Sequence, residues 1–230
     1  MRMRWAILGG CALAGGLLLS SIVPAYAADL TGLDAGIITA QHGLPGAIGS
    51  AADDFESPGK TDLAGRTLAT GQVWSASPDF EVTGGAAEAT KNNLPLSIAT
   101  LPWVSIPTTR VTAQITAIGA AEFGLLLQAD RDTNTGVALR LLDTGDVTLA
   151  RLEAGSWITL ATTSGATTGT WSLTYSFGTY SAILNGSTLL TYTASPAEQV
   201  AWLMNGDVGL FVAGPKGKDA AWADFIVETP

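Results

Sequence analysis

Cysteine, histidine and positive charge are all scarce in this chain of 230 residues, which has one cysteine, one histidine and 11 basic residues against 20 acidic ones. A thiol or hydroxyl nucleophile needs an activating base, and His42 is the one histidine that could serve. Its glycine- and proline-rich surroundings indicate a solvated side chain instead. The formal net charge of −9 repels phosphate backbones, so nucleic acid is not an expected partner.

The first 27 residues have the pattern of a secretory signal peptide, which would form a signal helix. Arg2 and Arg4 precede an apolar run over residues 5–23, and Ala25 and Ala27 provide the small pair that signal peptidase requires. We therefore expect cleavage after Ala27 and an extracellular or cell-surface protein. The exported chain would have 203 residues, no cysteine and a formal charge of −11.

Two other interpretations of this segment stay open. The apolar run is 19 residues long, close to the length of a helix that spans a bilayer, so an uncleaved segment would anchor the protein in the membrane. Residues 8–11 also resemble a lipoprotein box, which would leave a lipidated Cys11. Too few apolar residues precede Cys11 for that processing, and the alanine pair favours cleavage after Ala27.

The rest of the sequence divides into a leader and one domain. Residues 28–52 are rich in alanine and glycine and lack sustained periodicity, apart from a short strand pattern over 36–40. Residues 53–230 contain short runs in which apolar and polar residues alternate, separated by turn residues. One buried and one polar face is typical of antiparallel sheets, so the sequence predicts an all-β, antiparallel β-sandwich. In the clearest run, one face carries Trp171, Leu173, Tyr175 and Phe177.

Turn and cap signals connect these strands. Asn185-Gly186 and the segment 143–146 predict two tight hairpins, because their residues accept positive φ angles. Ser195, Pro196 and Glu198 form a capping-box pattern that predicts a short helix over 196–204.

Several segments resemble laminin-G-like jelly rolls of the concanavalin A-like lectin superfamily: Asp53-Asp54-Phe55, Leu63-Ala64-Gly65-Arg66 with Trp74, Gly169–Leu173 with Ile183–Gly186, Val208–Phe211, and Ala223-Asp224-Phe225. The resemblance implies a jelly-roll domain of a secreted bacterial or phage-associated protein. It also implies that the first and last strands are neighbours.

Retaining glucanases of this superfamily carry Glu-x-Asp-x-x-Glu on one strand, which places two carboxylates on one face. The nearest segment here has Trp222 where the first carboxylate belongs. We therefore expect a protein that is not an enzyme, with a glycoside hydrolase as the distant alternative.

Two groups of oxygen ligands raise the question of calcium. Asp53, Asp54 and Asp224 would converge if the terminal strands pair, and residues 130–136 space their side chains like the start of a calcium loop. In that loop the glycine falls seventh rather than sixth, and Leu141 stands where the twelfth-position glutamate belongs. We expect no cofactor, with calcium as the alternative.

Trp157 is the aromatic residue that the pattern assigns to a polar face, shared with Thr159 and Ala161. An indole on such a face can stack on a sugar ring. Polar side chains that could hydrogen-bond the same ligand are Gln114, Gln128, Arg140 and Arg151. We therefore expect a secreted lectin-like binding or adhesion module for a glycan or another surface polymer. The alternative is a structural subunit that assembles through the leader, which could add a strand to a neighbour's sheet.

Overall fold

The computed structural model describes residues 49–103, 108–119, 122–202, 206–215 and 217–230. The predicted signal segment with Cys11, the strand pattern over 36–40 and His42 lie outside these residues. Within them, sixteen strands run in chain order. They are β1 (Ser50–Asp53), β2 (Thr61–Asp62), β3 (Ser75–Ala76), β4 (Phe80–Thr83), β5 (Ala86–Ala89), β6 (Leu94–Leu101), β7 (Thr108–Ala117), β8 (Glu122–Asp130), β9 (Thr135–Leu141), β10 (Asp146–Glu153), β11 (Ser156–Ser164), β12 (Gly169–Ser176), β13 (Thr179–Leu184), β14 (Ser187–Thr193), β15 (Asp207–Gly214) and β16 (Ala221–Glu228).

The strands form two antiparallel sheets, which confirms the predicted sandwich. One sheet has nine strands in the order β14-β13-β12-β7-β16-β5-β4-β2, with β1 added beside β16, and the other has seven in the order β11-β10-β9-β8-β15-β6-β3. Apolar side chains from alternating positions of both sheets meet in one large core, in which Trp171 and Trp222 are fully buried. A buried Trp171 confirms the face predicted for β12.

The turns form as their residues predict. Asn185 and Gly186 have φ angles of 48° and 81° and join β13 to β14, where Leu184 pairs with Ser187. Strands β9 and β10 pair across the second predicted turn, which is closed by a hydrogen bond from the Gly145 amide to the Leu142 carbonyl oxygen.

The structure has one short helix in its described part, α1 (Pro196–Trp202), and a 3-10 turn at Gly217–Asp219. The capping box is present, because the Ser195 amide donates to Glu198 and the Glu198 amide donates to the Ser195 hydroxyl. Residues 203–205, where the helix was predicted to end, lie outside the described part. None of the described helices is long and apolar enough to cross a membrane.

Strand β1 pairs antiparallel with the closing strand β16, with Asp53 opposite Phe225. The first and last described strands are therefore neighbours, as the resemblance implies. The sheet begins at Ser50, so three residues assigned to the leader belong to the sandwich.

The face assignments of Phe177 after β12 and of Ala161 in β11 were wrong. Phe177 was expected in the core with Trp171, but β12 ends at Ser176, and Phe177 enters the turn with a φ of 44°. Its side chain is consequently 76% exposed. Ala161 was expected to share a face with Trp157, but a bulge between their positions pairs Ala150 with Thr159 and Leu149 with Ala161. The extra residue rotates Ala161 inward, where it packs against the core.

Candidate functional site

The five predicted binding residues do not share one surface. Gln114 lies on the outer face of the nine-stranded sheet, where its side chain accepts a hydrogen bond from the Thr170 hydroxyl. Trp157 and Arg140 lie together on the outer face of the seven-stranded sheet. Gln128 and Arg151 point between the sheets. The polar sheet faces were predicted to offer these side chains to one ligand, but the structure brings together only Trp157 and Arg140 of the five on an outer face.

The outer face of the seven-stranded sheet carries a second apolar cluster. Its buried members are Ile98, Leu126, Ala129, Ala138, Leu152 and Phe211, with Leu96 and Trp157 packed against them. Alternation explains this placement, because the neighbouring residues Leu125, Leu127, Val137, Leu139, Leu210 and Val212 point into the main core. This face is thus much less polar than the sequence pattern suggested.

Trp157 is held on this face by a tilted contact with Phe211 and a cation–π contact with Arg140. Its ring centroid lies 5.0 Å from that of Phe211, and the Arg140 guanidinium carbon lies 4.7 Å from the Trp157 centroid. Both distances suit attraction, through aromatic packing and through a cation–π contact. Strand register places the small residues Ala138 and Ala150 between Trp157 and Arg140, which leaves room for the indole.

Glu122 fixes the orientation of Arg140 and was missed in the sequence. Its Oε1 atom accepts from Arg140 Nε at 2.7 Å and lies 2.6 Å from Nη2. The side chains are 26% exposed for Glu122 and 10% for Arg140, so the pair is largely shielded from water. The available signal was the strand pattern itself, because Glu122 and Arg140 both occupy polar alternate positions of consecutive strands.

A close approach of strands supports this arrangement. Gly124 lies between Phe211 and Arg140 in the cross-strand register. A Cβ atom at Gly124 would collide with the Leu139 carbonyl oxygen and come within 3.2 Å of the Phe211 ring. The absence of a side chain there lets the Phe211 ring lie close to the sheet.

Gln128 was predicted on the outer face, but a bulge turns it inward. The register of β8 and β9 shifts between Leu127 and Asp130, and Gln128 adopts a φ of 50°. Its side-chain oxygen accepts a hydrogen bond from the Tyr180 hydroxyl, and Gln128 is fully buried. Burial is the main cause that raises the pKa of Tyr180, so this hydroxyl stays a donor.

Arg151 also points inward, because it lies two residues beyond Leu149 and four beyond Val147 on β10, and these core residues share its face. Its guanidinium carbon lies 5.2 Å from the ring centroid of Trp202, the last residue of α1. Burial lowers the pKa of Arg151 despite the nearby Glu153 carboxylate. Neither Gln128 nor Arg151 therefore faces a ligand on the outer surface.

The proposed carboxylate cluster does not form a cation site. Both Asp53 oxygens accept from Arg66 Nε at 2.9 Å, and Oδ2 also accepts from Trp74 Nε1 at 2.9 Å. Asp54 is exposed and bonds the Glu56 amide, while Asp224 is an exposed residue of β16. Because Arg66 already neutralises the buried carboxylate, a second cation there would be repelled.

The second calcium candidate is an ordinary hairpin loop. Asp130 Oδ1 accepts from the amides of Asp132 and Thr133. Burial opposes ionisation of Asp130, but these hydrogen bonds prevail and lower its pKa. Across the described residues, no group of three or more histidine, cysteine, aspartate or glutamate side chains is arranged to hold a metal ion.

No family model and no curated protein matches the sequence. Solved structures do match its fold. A structure from a study of endo-acting O-glycanases, which human gut bacteria express to initiate mucin breakdown, matches with a TM-score of 0.51 and 9% identity, covering 77% of this chain and 98% of the other. The exoplasmic/lumenal domain of VIP36 matches with a TM-score of 0.50 and 8% identity, covering 76% and 93%.

The carbohydrate-binding module CBM66 from Bacillus subtilis matches with a TM-score of 0.44 and 14% identity, covering 72% of this chain and 91% of the module. Identities this low establish architecture only. The two higher-scoring likenesses agree with the observed strands and sheets, and they show that the chain shares the fold of these two structures.

Proposed function

We propose that this protein is a secreted, non-catalytic, lectin-like module that binds a glycan or another surface polymer on the outer face of its seven-stranded sheet. The observation that carries this proposal is the cluster of Arg140, Trp157 and Phe211, with Glu122 bonded to Arg140. An indole offers an apolar face to a sugar ring, while the guanidinium and carboxylate offer a donor and an acceptor to its hydroxyl groups.

The chemistry of this site favours a neutral ligand. Arg140 already has a carboxylate partner within 2.6 Å, so an acidic group would have to displace Glu122. The net charge of −9 also repels polyanions over long range. A fold neighbour supports glycan recognition by analogy, because it comes from a study of endo-acting O-glycanases.

A glycan array with the purified protein tests this function. We expect binding to a neutral glycan that falls at least about tenfold in the Trp157→Ala variant, since stacking on one indole contributes about that much affinity. Ile158→Ala is the matched control, because Ile158 is the next residue of β11 and is 47% exposed. Equal binding by both variants would show that Trp157 does not contact the ligand.

Hydrolysis is a second candidate because of one observation on the other sheet. Glu81 of β4 pairs directly with Glu88 of β5, and Lys60 forms an ion pair with Glu81. Burial and the Glu81 carboxylate raise the pKa of Glu88. Two neighbouring carboxyl groups in unlike environments are what a retaining glycosidase requires. Release of reducing sugar that is abolished by Glu88→Gln would favour this candidate over a binding module.

Assembly through the leader is the third candidate. Its last residues form β1, which pairs with β16 of the same chain, so a strand from this part of the sequence can complete such a sheet. Deletion of residues 28–48 and measurement of mass by light scattering test it. A large assembly that becomes monomeric after the deletion would favour a structural subunit.

A further inference from the structure

The turn between β12 and β13 presents an aromatic ring to solvent. Phe177 is 76% exposed, the largest exposed fraction among the exposed large apolar side chains of the described residues. Its backbone has a φ of 44°, which is unfavourable for a bulky side chain. Both features lower the stability of the fold, so phenylalanine at this position requires a reason other than packing.

The next hairpin shows which residue the same geometry accepts at lower cost. Phe177 and Gly178 have φ angles of 44° and 87°, and Asn185 and Gly186 have φ angles of 48° and 81°. Each pair joins two antiparallel strands through a two-residue turn. Asparagine is favoured at the first position of such a turn, because it tolerates positive φ. Turn geometry therefore does not account for Phe177.

Helix α1 holds this turn in place. The Gly178 carbonyl oxygen accepts a hydrogen bond from the Ala194 amide at 2.9 Å. A Cβ atom at Gly178 would collide with the Gln199 side chain, which donates to the Ala194 carbonyl oxygen. The backbone that carries Phe177 is thus fixed before a ligand arrives, and a preorganised contact costs little ordering on binding.

A row of hydroxyl side chains crosses the nine-stranded sheet beside this turn. In cross-strand register the row consists of Thr193, Thr179, Ser176 and Thr108. It lies on the outer face, because the adjacent residues Tyr175 and Tyr180 are buried in the core. Hydroxyl groups both donate and accept hydrogen bonds, so this row can pair with the hydroxyl groups of a sugar.

The surroundings of Phe177 favour an uncharged ligand. Among the residues of the turn, the hydroxyl row and α1, Glu198 is the one charged side chain. Its two oxygens accept hydrogen bonds from the Tyr192 hydroxyl and the Ser195 amide. Membrane binding relies on attraction of basic side chains to anionic lipids as well as on apolar contact, and these residues include no basic side chain.

The size of the exposed ring favours a sugar over a protein partner. A stable protein interface buries about 800 Å² on each partner, whereas one aromatic side chain contributes about 150 to 250 Å². A single ring is matched in size by a single sugar ring, whose apolar face can stack on it while its hydroxyl groups bond polar neighbours.

We propose that Phe177 is the stacking platform of a second subsite for a neutral glycan, with the adjacent hydroxyl row as its hydrogen-bond partners. The subsite lies on the nine-stranded sheet, whereas Trp157 belongs to a strand of the seven-stranded sheet. The choice of a glycan as ligand rests on the proposed function, but the position of the subsite does not.

Affinity electrophoresis tests this subsite in native gels that contain a β-glucan, a mannan or a galactan, all neutral polysaccharides. We expect at least one of them to retard the wild-type protein and to bind Phe177→Asn at least about fivefold more weakly. Asparagine suits the turn, so a loss of binding in this variant does not arise from a loss of structure. Val200→Ala is the control, because Val200 of α1 is 73% exposed and lies outside the hydroxyl row; its retardation should equal that of the wild type.

Two further variants separate ring stacking from simple apolar contact. Phe177→Tyr keeps the aromatic ring and should bind like the wild type. Phe177→Leu keeps an apolar side chain without a ring and should bind as weakly as Phe177→Asn. Wild-type affinity in Phe177→Leu would overturn the inference. Co-sedimentation with phosphatidylcholine vesicles that is lost in Phe177→Asn would also overturn it, because the ligand would then be a membrane.

The two sheets are distinguished by comparison with Trp157→Ala. Retardation that is lost in Trp157→Ala but unchanged in Phe177→Asn would overturn this subsite and leave the proposed function standing. Retardation that is lost in Phe177→Asn but unchanged in Trp157→Ala would support the subsite and contradict the site at Trp157. No retardation of the wild type by any of the three polysaccharides would overturn the inference.

Discussion

Replacing Asp53 by asparagine should destabilise the fold far more than the same change at its neighbour Asp54. The Asp53 side chain is 3% exposed and accepts hydrogen bonds from the Phe55 amide, from Arg66 and from Trp74 Nε1. These hydrogen bonds connect β1 to the segment that contains Arg66 and Trp74. Asparagine is nearly isosteric, so the substitution tests the charge rather than the packing.

The magnitude follows from the loss of a charged acceptor. Breaking a buried ion pair by removing one partner costs about 3 to 5 kcal/mol. Arg66 is 22% exposed and keeps a hydrogen bond to the Glu56 carbonyl oxygen, which reduces the expected cost to about 3 kcal/mol. Asp54 is 70% exposed and 3.7 Å from Arg66 Nη2, so Asp54→Asn should cost below about 1 kcal/mol.

Urea unfolding at pH 7 gives the free energy of unfolding of each variant. The loss is calculated from the shift in midpoint, with the same denaturant slope for both variants. Losses of similar size in the two variants would refute the reasoning, because they would mean that burial of the Asp53 carboxylate contributes nothing specific.

Three further predictions follow from burial, charge and backbone geometry. Trp171→Ala should cost about 3 to 5 kcal/mol because it leaves a core cavity, whereas Trp157→Ala, which loses one face of packing, should cost about 1 to 2 kcal/mol. Glu88→Gln should raise stability at pH 7 by less than about 1 kcal/mol, because burial and Glu81 raise the pKa of Glu88 and thus disfavour its ionised form in the fold. That gain should vanish below pH 4.5, the ordinary pKa of a glutamate. Phe177→Asn should raise the free energy of unfolding by about 1 kcal/mol, since asparagine tolerates the left-handed backbone that Phe177 adopts at a φ of 44°.

Urea and thermal midpoints check each of these, and each has a contrary outcome. Equal losses at the two tryptophans would mean that both lie in the main core. A Glu88→Gln gain that persists at pH 3 would assign the effect to packing. A lower midpoint for Phe177→Asn would show that the Phe177 side chain stabilises the fold by contacts outside its turn.

The architecture was accessible from the sequence because its signals are local. Strand alternation reports which residues face the core, and Asn185-Gly186 and the Ser195–Glu198 capping box specify a turn and a helix start through hydrogen bonds within a few residues. Alternation on β12 places Trp171 on the apolar face, and a sandwich buries that face. The core position of Trp171 was therefore predicted correctly.

The candidate site was harder to predict from the sequence, because β-bulges move side chains to the opposite face of a sheet and no local sequence signal marks them. One inserted residue inverts the alternation that follows it, and this happened at Gln128 and before Ala161. The contact between Trp157 and Arg140 joins nonadjacent strands, and its geometry depends on the small residues between them. Glu122 was missed because its role arises only when β8 and β9 are paired in register.

The most direct test of glycan binding by the cluster of Arg140, Trp157 and Phe211 is a titration of the purified protein with the strongest glycan from the array, followed by tryptophan fluorescence. The proposed function predicts a saturable change in wild type and in Ile158→Ala. In Trp157→Ala, whose affinity is measured by calorimetry because the reporting indole is gone, binding should be at least about tenfold weaker. Arg140→Lys should also weaken affinity, because lysine lacks the planar fork that stacks on the indole and binds Glu122. Binding of the same glycan with unchanged affinity by folded Trp157→Ala would contradict it.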